Sequence, residues 1–340
     1  MPRPLHARLL AALTVLLSAV LVTGQLTTGA QAATTTTMSP TAPRLLWGAF
    51  ARPRGSENLR SALEHLETRA GRTVGATRVY LKWDSGIGSY EHWLVDTGRT
   101  PLISITSTRH GGTTIPWHSI ASAGPTTTLG KEINAWADRI KSLKGPVYFT
   151  FNHEPEAAES RNRGTNADFI AAWRHIVTMF RNRGVTNAKY LWTMTGWSFG
   201  VNTGDRRSAA KWYPGDAYVD ALGSDEYNVF NCRTDFKAPW RPLATQVEAF
   251  RRFGLTHPGK ELWLPEFGSV EDRATPNRKA AWMNEIKTAF KDPKYSQFRG
   301  LVYFHAIREG TPCAWWVDSS SSAISAWGSM GRDSFFTRRY

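Results

Sequence analysis

The sequence predicts a single domain of the α/β class, a (β/α)8 TIM barrel, and three observations carry that expectation. Apolar, β-prone runs alternate with amphipathic helical stretches along the chain after residue 43, the pattern of a parallel sheet with crossover helices. Eight such runs can be counted, and the roughly 300 residues that hold them suit one eight-stranded barrel with decorated loops. Two of the runs end on a glutamate inside a short motif, Phe151-Asn152-His153-Glu154-Pro155-Glu156 and Leu264-Pro265-Glu266-Phe267-Gly268. Strand ends of that kind are where such a barrel carries its chemistry.

The first residues are set apart from the fold. Arg3, His6 and Arg8 precede an apolar run from Leu9 to Val22, followed by Ala30-Gln31-Ala32, the small-residue pattern of a signal-peptidase site. Residues 1–32 are therefore expected to be a signal peptide, 33–43 a flexible segment, and 44–340 one catalytic domain. A membrane anchor is the alternative, but the run falls short of the roughly 18 apolar residues of a span. The expected protein is secreted and extracellular, with no membrane association after cleavage.

The strands are expected at Leu45 to Phe50, Val79 to Trp83, Pro101 to Thr106, Val147 to Phe151, Tyr190 to Met194, Val219 to Ser224, Leu262 to Pro265 and Leu301 to Phe304. Helices are expected at Glu57 to Ala70, Lys131 to Leu143, Ala167 to Arg183, Leu243 to Phe253 and Arg278 to Phe290. Ala171, Ile176 and Phe180 show the helical spacing. Gly71, Gly145 and Gly184 follow helical stretches where a left-handed cap is needed. Weaker signals place helices after the second, fifth and eighth strands to complete eight strand–helix units.

Composition bounds the partners. The formal charge of +14 leaves nucleic acid or an acidic cell-surface polymer open. The Lys and Arg residues are scattered among Asp and Glu without a five-residue basic run, so a solvated basic surface is favoured and no nucleic-acid partner is expected. Cys232 and Cys313 are the only cysteines, and an even count in an exported chain invites a disulfide; two unpaired thiols are the alternative. No cluster has metal-ligand spacing, so neither a metal nor another cofactor is expected.

Two carboxylates facing each other across a barrel mouth are the apparatus of glycoside hydrolysis. A general acid needs an apolar or negatively charged setting, which Phe151, Pro155 and the second carboxylate supply around Glu154. An attacking carboxylate at Glu266 needs a donor that favours its charged form. His153 is read as orienting Glu154 or bonding a sugar hydroxyl, against a packed histidine at the rim. Asn152 either grips a hydroxyl or caps backbone. Fifteen tryptophans are many for this length, and flat aromatic faces suit sugar rings. Trp83, Trp197, Trp240, Trp315 and Trp316 fall in expected mouth loops, whereas Trp136, Trp173 and Trp282 sit at helical spacing and are expected in the core. Asp84, Asp225, Glu226 and His305 also end strands on that face, as candidates for sugar hydroxyls or rim support.

These residues resemble glycoside hydrolase family 26 of the clan A retaining glycosidases. Besides the two glutamate motifs, the resemblance is carried by Trp212-Tyr213-Pro214-Gly215-Asp216-Ala217-Tyr218-Val219-Asp220 leading through Asp225 to Tyr227-Asn228, and it runs from about Leu45 to Phe304. It implies Glu154 as acid/base with His153 immediately before it, Glu266 as nucleophile, and Tyr227 as hydrogen-bond donor to that nucleophile. Two departures touch the substrate. Glu154 is followed by Pro155-Glu156-Ala157-Ala158-Glu159 instead of a tryptophan-rich stretch, and the eighth strand reads Tyr303-Phe304-His305 where a tryptophan platform is expected.

The resulting expectation is a monomeric, retaining endo-β-glycosidase acting on a polysaccharide, with β-1,4-mannan first and β-glucan or β-xylan behind it. A non-catalytic carbohydrate-binding barrel is the reading from a different class; such a barrel has no need of both glutamates.

Overall fold

The computed structural model describes residues 44–160, 162–233 and 237–337; the expected signal peptide and the segment 33–43 lie outside them. Eight parallel strands follow one another around a barrel: β1 (Leu45–Ala51), β2 (Ala76–Leu81), β3 (Thr100–Ile105), β4 (Val147–Phe151), β5 (Ala188–Thr195), β6 (Ala221–Asn228), β7 (Glu261–Ser269) and β8 (Phe298–His305). The barrel closes between β8 and β1, where Leu46 to Ala51 pair with Gly300 to His305, and between β1 and β2, where Gly48 pairs with Ala76. A two-residue strand, β9 (Phe336–Thr337), adds to the start of β1.

The crossovers carry α1 (Leu59–Ala70), α2 (Ser89–Asp96), α3 (Trp117–Ala121), α4 (Thr128–Ser142), α5 (Asn166–Asn182), α6 (Leu243–Gln246), α7 (Glu248–Leu255), α8 (Arg278–Ala289) and α9 (Ser321–Arg332). Local chemistry sets their ends. Asn58 accepts from the Ser61 amide at 2.9 Å while the Ser61 hydroxyl accepts from the Asn58 amide, so α1 starts two residues later than Glu57. Thr165 and Asp168 form the same box before α5. Gly71 and Gly184 take the left-handed conformation, with φ of 67° and 76°. Gly145 does not; it is small because a Cβ there would stand 2.5 Å from Val95 Cγ1.

The expectation of eight strand–helix units needs one correction. Between β5 and β6 the chain makes three short 3-10 turns, Gly196–Phe199, Ala209–Lys211 and Asp216–Tyr218, instead of an α-helix. Gly200, Gly204, Pro214 and Gly215 interrupt any longer helical run there. Phe199 and Tyr213 from this segment cover Trp192 of β5 in place of a helix face.

Two cores result. Between strands and helices lies a large apolar layer that includes Trp136, Trp173 and Trp282, all buried as expected. Inside the barrel, Leu46, Ala76, Leu102, Tyr148, Leu191, Ala221, Trp263 and Val302 form a separate buried cluster. The Trp263 indole reaches across to β8, where a Cβ on Gly300 would stand 2.2 Å from its ring. That plug gives the upper barrel a solid floor.

Candidate active site

Side chains alternate along a strand, so each inward residue of the apolar floor fixes which residues point inward above it. On β2, Ala76 in the floor puts Arg78 and Tyr80 on the inner face; on β6, Ala221 does the same for Asp225 and Tyr227. Plain alternation from Trp263 would turn Glu266 outward. The pairing of β7 instead slips against β8 between Leu264 and Phe267, and against β6 between Gly223 and Asp225. A bulge of this kind re-aims the residues beyond it, and Pro265, with no amide hydrogen to donate, sits at the irregularity.

Glu266 is gripped at both oxygens. The Tyr80 hydroxyl donates to Oε1 at 2.6 Å and the Tyr227 hydroxyl donates to Oε2 at 2.6 Å. Arg78 Nε lies 3.8 Å from Oε1 and the guanidinium is fully buried. Burial works against the Arg78 charge, but Tyr80, Asp225 and Glu266 outweigh it and hold its pKa above the ordinary value. Burial, followed by the charge of Glu266, pushes both tyrosines well above the usual phenol range, so they stay donors.

The second glutamate stands on a turn. Asn152 and Glu154 both have left-handed backbone, with φ of 42° and 51°, and the Glu154 amide donates to the Thr193 carbonyl of β5 at 3.0 Å. Asn152 is buried, and its amide is committed to Ser107, accepting from the backbone N–H at 2.9 Å and donating to the hydroxyl at 3.0 Å. That bonding corrects the reading of Asn152 as a sugar ligand: it ties β4 to the loop after β3. His153 is half-buried, with Nδ1 2.8 Å from the Ser104 hydroxyl and its ring 5.5 Å from that of Tyr80. Desolvation first, then the Arg78 charge, push it down to about 4, so the ring is neutral near pH 7.

Asp225 joins the two halves. Its carboxyl is buried, neither oxygen finds a hydrogen-bond partner among the described residues, and its pKa is raised well above the usual range, first by burial and then by the charges of Glu266 and Glu154. Glu226 alternates to the other side, accepts from the Ser224 hydroxyl at 2.6 Å, and is pushed up to about 8 by burial.

The aromatic expectations divide. Trp83 is 1% exposed and donates to Glu132, so it is a packing residue and offers no sugar face. Trp315 is buried against the Tyr227 ring at 4.2 Å. Trp316 lies under the Arg54 guanidinium at 3.7 Å, and half-buried Trp240 lies under that of Arg278 at 4.5 Å. Trp197, at 44% exposure, is the tryptophan that stands out, flanked on one face by Arg207. His305 is also corrected: it is buried, its Nδ1 accepts from the Val317 amide at 3.0 Å, and Arg54 lies 3.1 Å from its Nε2. Burial pushes it down to about 3, and it braces the loop after β8. Asp84 accepts from the His110 amide at 2.8 Å as rim support. Half-buried Phe304 faces Tyr80 and Tyr227, where a tryptophan platform was expected.

Cys232 and Cys313 are bonded to each other, linking the loops after β6 and β8. The bridge packs with Trp315 and Val270, against Tyr227 and Phe304, so it backs the side chain that holds Glu266. Arg78, Tyr80 and Glu156 are the site residues that sequence reasoning missed. The signal for the first pair was present: two polar groups two residues apart, on the same face of β2. Among the described residues, no group of three or more His, Cys, Asp or Glu is arranged to hold a metal, and no helix is long and apolar enough to cross a membrane.

The family model described as glycosyl hydrolase family 26 matches residues 123–247. Endoglucanase H of Acetivibrio thermocellus is 27% identical over 285 residues, covering 80% of this chain and 29% of that protein. A mannan endo-1,4-beta-mannosidase of Bifidobacterium adolescentis is 29% identical over 216 residues, covering 60% of this chain and 19% of the relative. The chain thus spans less than a third of the length of these curated relatives. Among solved structures, the GH26 domain of a Prevotella bryantii endo-beta-mannanase/endo-beta-glucanase superposes with a TM-score of 0.56 at 14% identity, over 87% of this chain and 91% of that one, a likeness of fold. The barrel and these matches support a glycoside hydrolase. The family they point to is glycoside hydrolase family 26, whose model matches residues 123–247 of this chain.

Proposed function

We propose that the chain is a secreted endo-β-glycosidase that cleaves an extracellular polysaccharide with retention of configuration, Glu266 acting as nucleophile and Glu154 as acid/base. The observation that carries this reading is the grip on Glu266. Two hydroxyls donate to its two oxygens, which fixes the carboxylate in rotation and leaves its remaining lone pairs for an anomeric carbon held above the barrel floor. Glu154 stands across the mouth, past β5 and β6, near enough for its charge to be felt at Asp225 together with that of Glu266. In the first step Glu154 gives its proton to the leaving oxygen as Glu266 bonds to the anomeric carbon. In the second, Glu154 takes a proton from water as that water displaces Glu266. Neutral His153 and buried Asp225 line the mouth as groups able to exchange hydrogen bonds with sugar hydroxyls.

β-1,4-Mannan is the first substrate and a β-glucan the second. The second is favoured by Phe304 in place of a tryptophan platform and by an endoglucanase among the relatives. The export signal at residues 1–32 supports an extracellular site of action. Reducing-sugar release across mannans, glucans, xylans and arabinans tests the reading. Release from mannan or β-glucan is expected; release confined to an α-linked polymer, or none with tight polymer binding, contradicts it.

A further inference from the structure

A carboxylic acid that takes no part in the two displacements lies beneath the β4 turn. Glu156 is 1% exposed; its Oε1 accepts from the Thr195 amide at 2.8 Å and from the Thr195 hydroxyl, at the end of β5. Its Oε2 finds no hydrogen-bond partner among the described residues. Burial pushes the group up to about 7, opposed by the bonds from Thr195, so below neutrality it is held as the acid.

The turn needs holding. Two non-glycine residues with left-handed backbone, Asn152 and Glu154, are strained and persist only where the surroundings over-determine them. Asn152 is fixed through Ser107 on one side. On the other side two ties run to β5: the Glu154 amide to the Thr193 carbonyl, and the Glu156 carboxyl to Thr195. These ties bracket Glu154. A second acid, Glu226 of β6, presses on the same strand end, where a Cβ on Gly196 would stand 2.1 Å from its Oε2. That crowding leaves Thr195 little room to shift.

We propose that Glu156 is a positioning residue: by clamping Thr195 it locks the turn from Asn152 to Glu156 onto β5 and so sets the direction in which the Glu154 carboxyl meets the leaving-group oxygen. The inference rests on the acid/base reading of Glu154. A misaligned acid costs most where the leaving group needs a proton and little where it does not, and a displacement of about 1 Å is enough to cost on the order of 100-fold.

The test compares wild type with Glu156→Ala, Glu156→Gln, Thr195→Val and Glu154→Ala, on β-mannan and β-glucan and on the matching 2,4-dinitrophenyl β-mannobioside and β-cellobioside. With Glu156→Ala, kcat on polysaccharide is expected to fall about 10-fold or more beyond any fall on the dinitrophenyl substrate, with KM little changed. Glu156→Gln keeps the acceptor for Thr195 and should recover most of that difference. Thr195→Val, which keeps the backbone donor, should shift the ratio in the same direction by less. Equal losses on both substrate types, or no loss, with Glu156→Ala overturn the inference; if that variant does not fold, an unchanged ratio with Thr195→Val overturns it. Leaving-group dependence that is absent in Glu154→Ala itself would instead overturn the acid/base reading beneath it.

Discussion

The two glutamates reach the same mouth by opposite means. Glu266 stands on a strand and is fixed from outside, by Tyr80 at one oxygen and Tyr227 at the other, with buried Arg78 behind. Glu154 stands on a strained turn and is fixed from below, through its own backbone and its tie to Thr193. The difference suits the two tasks. A nucleophile must keep one orientation while its charge is spent, whereas an acid/base must serve first a sugar oxygen and then a water. Side-chain clamps give the first property, and a backbone anchor that leaves the carboxyl to its partners gives the second.

Removal of each carboxyl sharpens this contrast most. Glu266→Ala should abolish the glycosyl-enzyme for every substrate, a loss on the order of 10⁴-fold or more, because nothing else is placed to attack. Glu154→Ala should cost roughly 10² to 10⁴-fold on polysaccharide, spare activated aryl glycosides in the first step, and regain turnover with azide. Equal losses in both variants on an activated glycoside, without an azide effect, would erase the distinction. Tyr227→Phe comes next. Removing one donor to a charged group costs about 1.5 to 3 kcal/mol, so kcat should fall roughly 10- to 100-fold with KM little changed. A fall confined to KM would place Tyr227 with the sugar instead of the nucleophile.

The smallest effect on turnover is expected from the disulfide. Its cysteines are separated by 81 residues, and opening a loop of that size lowers stability by roughly 4 to 5 kcal/mol in the chain-entropy account. Trp315 and Tyr227 lie between the bridge and Glu266, so catalysis in the folded, reduced enzyme should drop only a few-fold while thermal stability drops clearly. A reduced enzyme as stable as the oxidised one would show that the bridge does not brace the rim.

The parts of this molecule that obey local rules were legible in the sequence. Strand positions, the cap at Gly71 and the glutamates that follow β4 and lie on β7 come from apolar runs, spacing and short motifs, and Tyr227 from the family resemblance. What escaped was decided by tertiary phase. Arg78 and Tyr80 look like ordinary polar positions until Ala76 is known to lie in the barrel floor, which turns both inward. Trp83 sits in a loop by sequence, yet its indole bonds Glu132 and packs against α4 in the layer outside the barrel. Asn152 and His305 carry the right groups for sugar binding but spend them on Ser107 and Val317. The missing helix after β5 reflects a segment dense in glycine and proline, whose aromatic residues cover Trp192 without helical repeat.

The stereochemistry of the first product tests the division of roles most directly. Retaining enzymes hold their two carboxyl groups about 5 to 5.5 Å apart, whereas inverting enzymes need about 6.5 to 9.5 Å to admit a water between carboxylate and sugar. Proton NMR of the nascent oligosaccharide, recorded before mutarotation, reads the outcome. The account predicts that the β anomer appears first; an initial α anomer would contradict it, because Glu266 would then be activating water instead of bonding to the sugar.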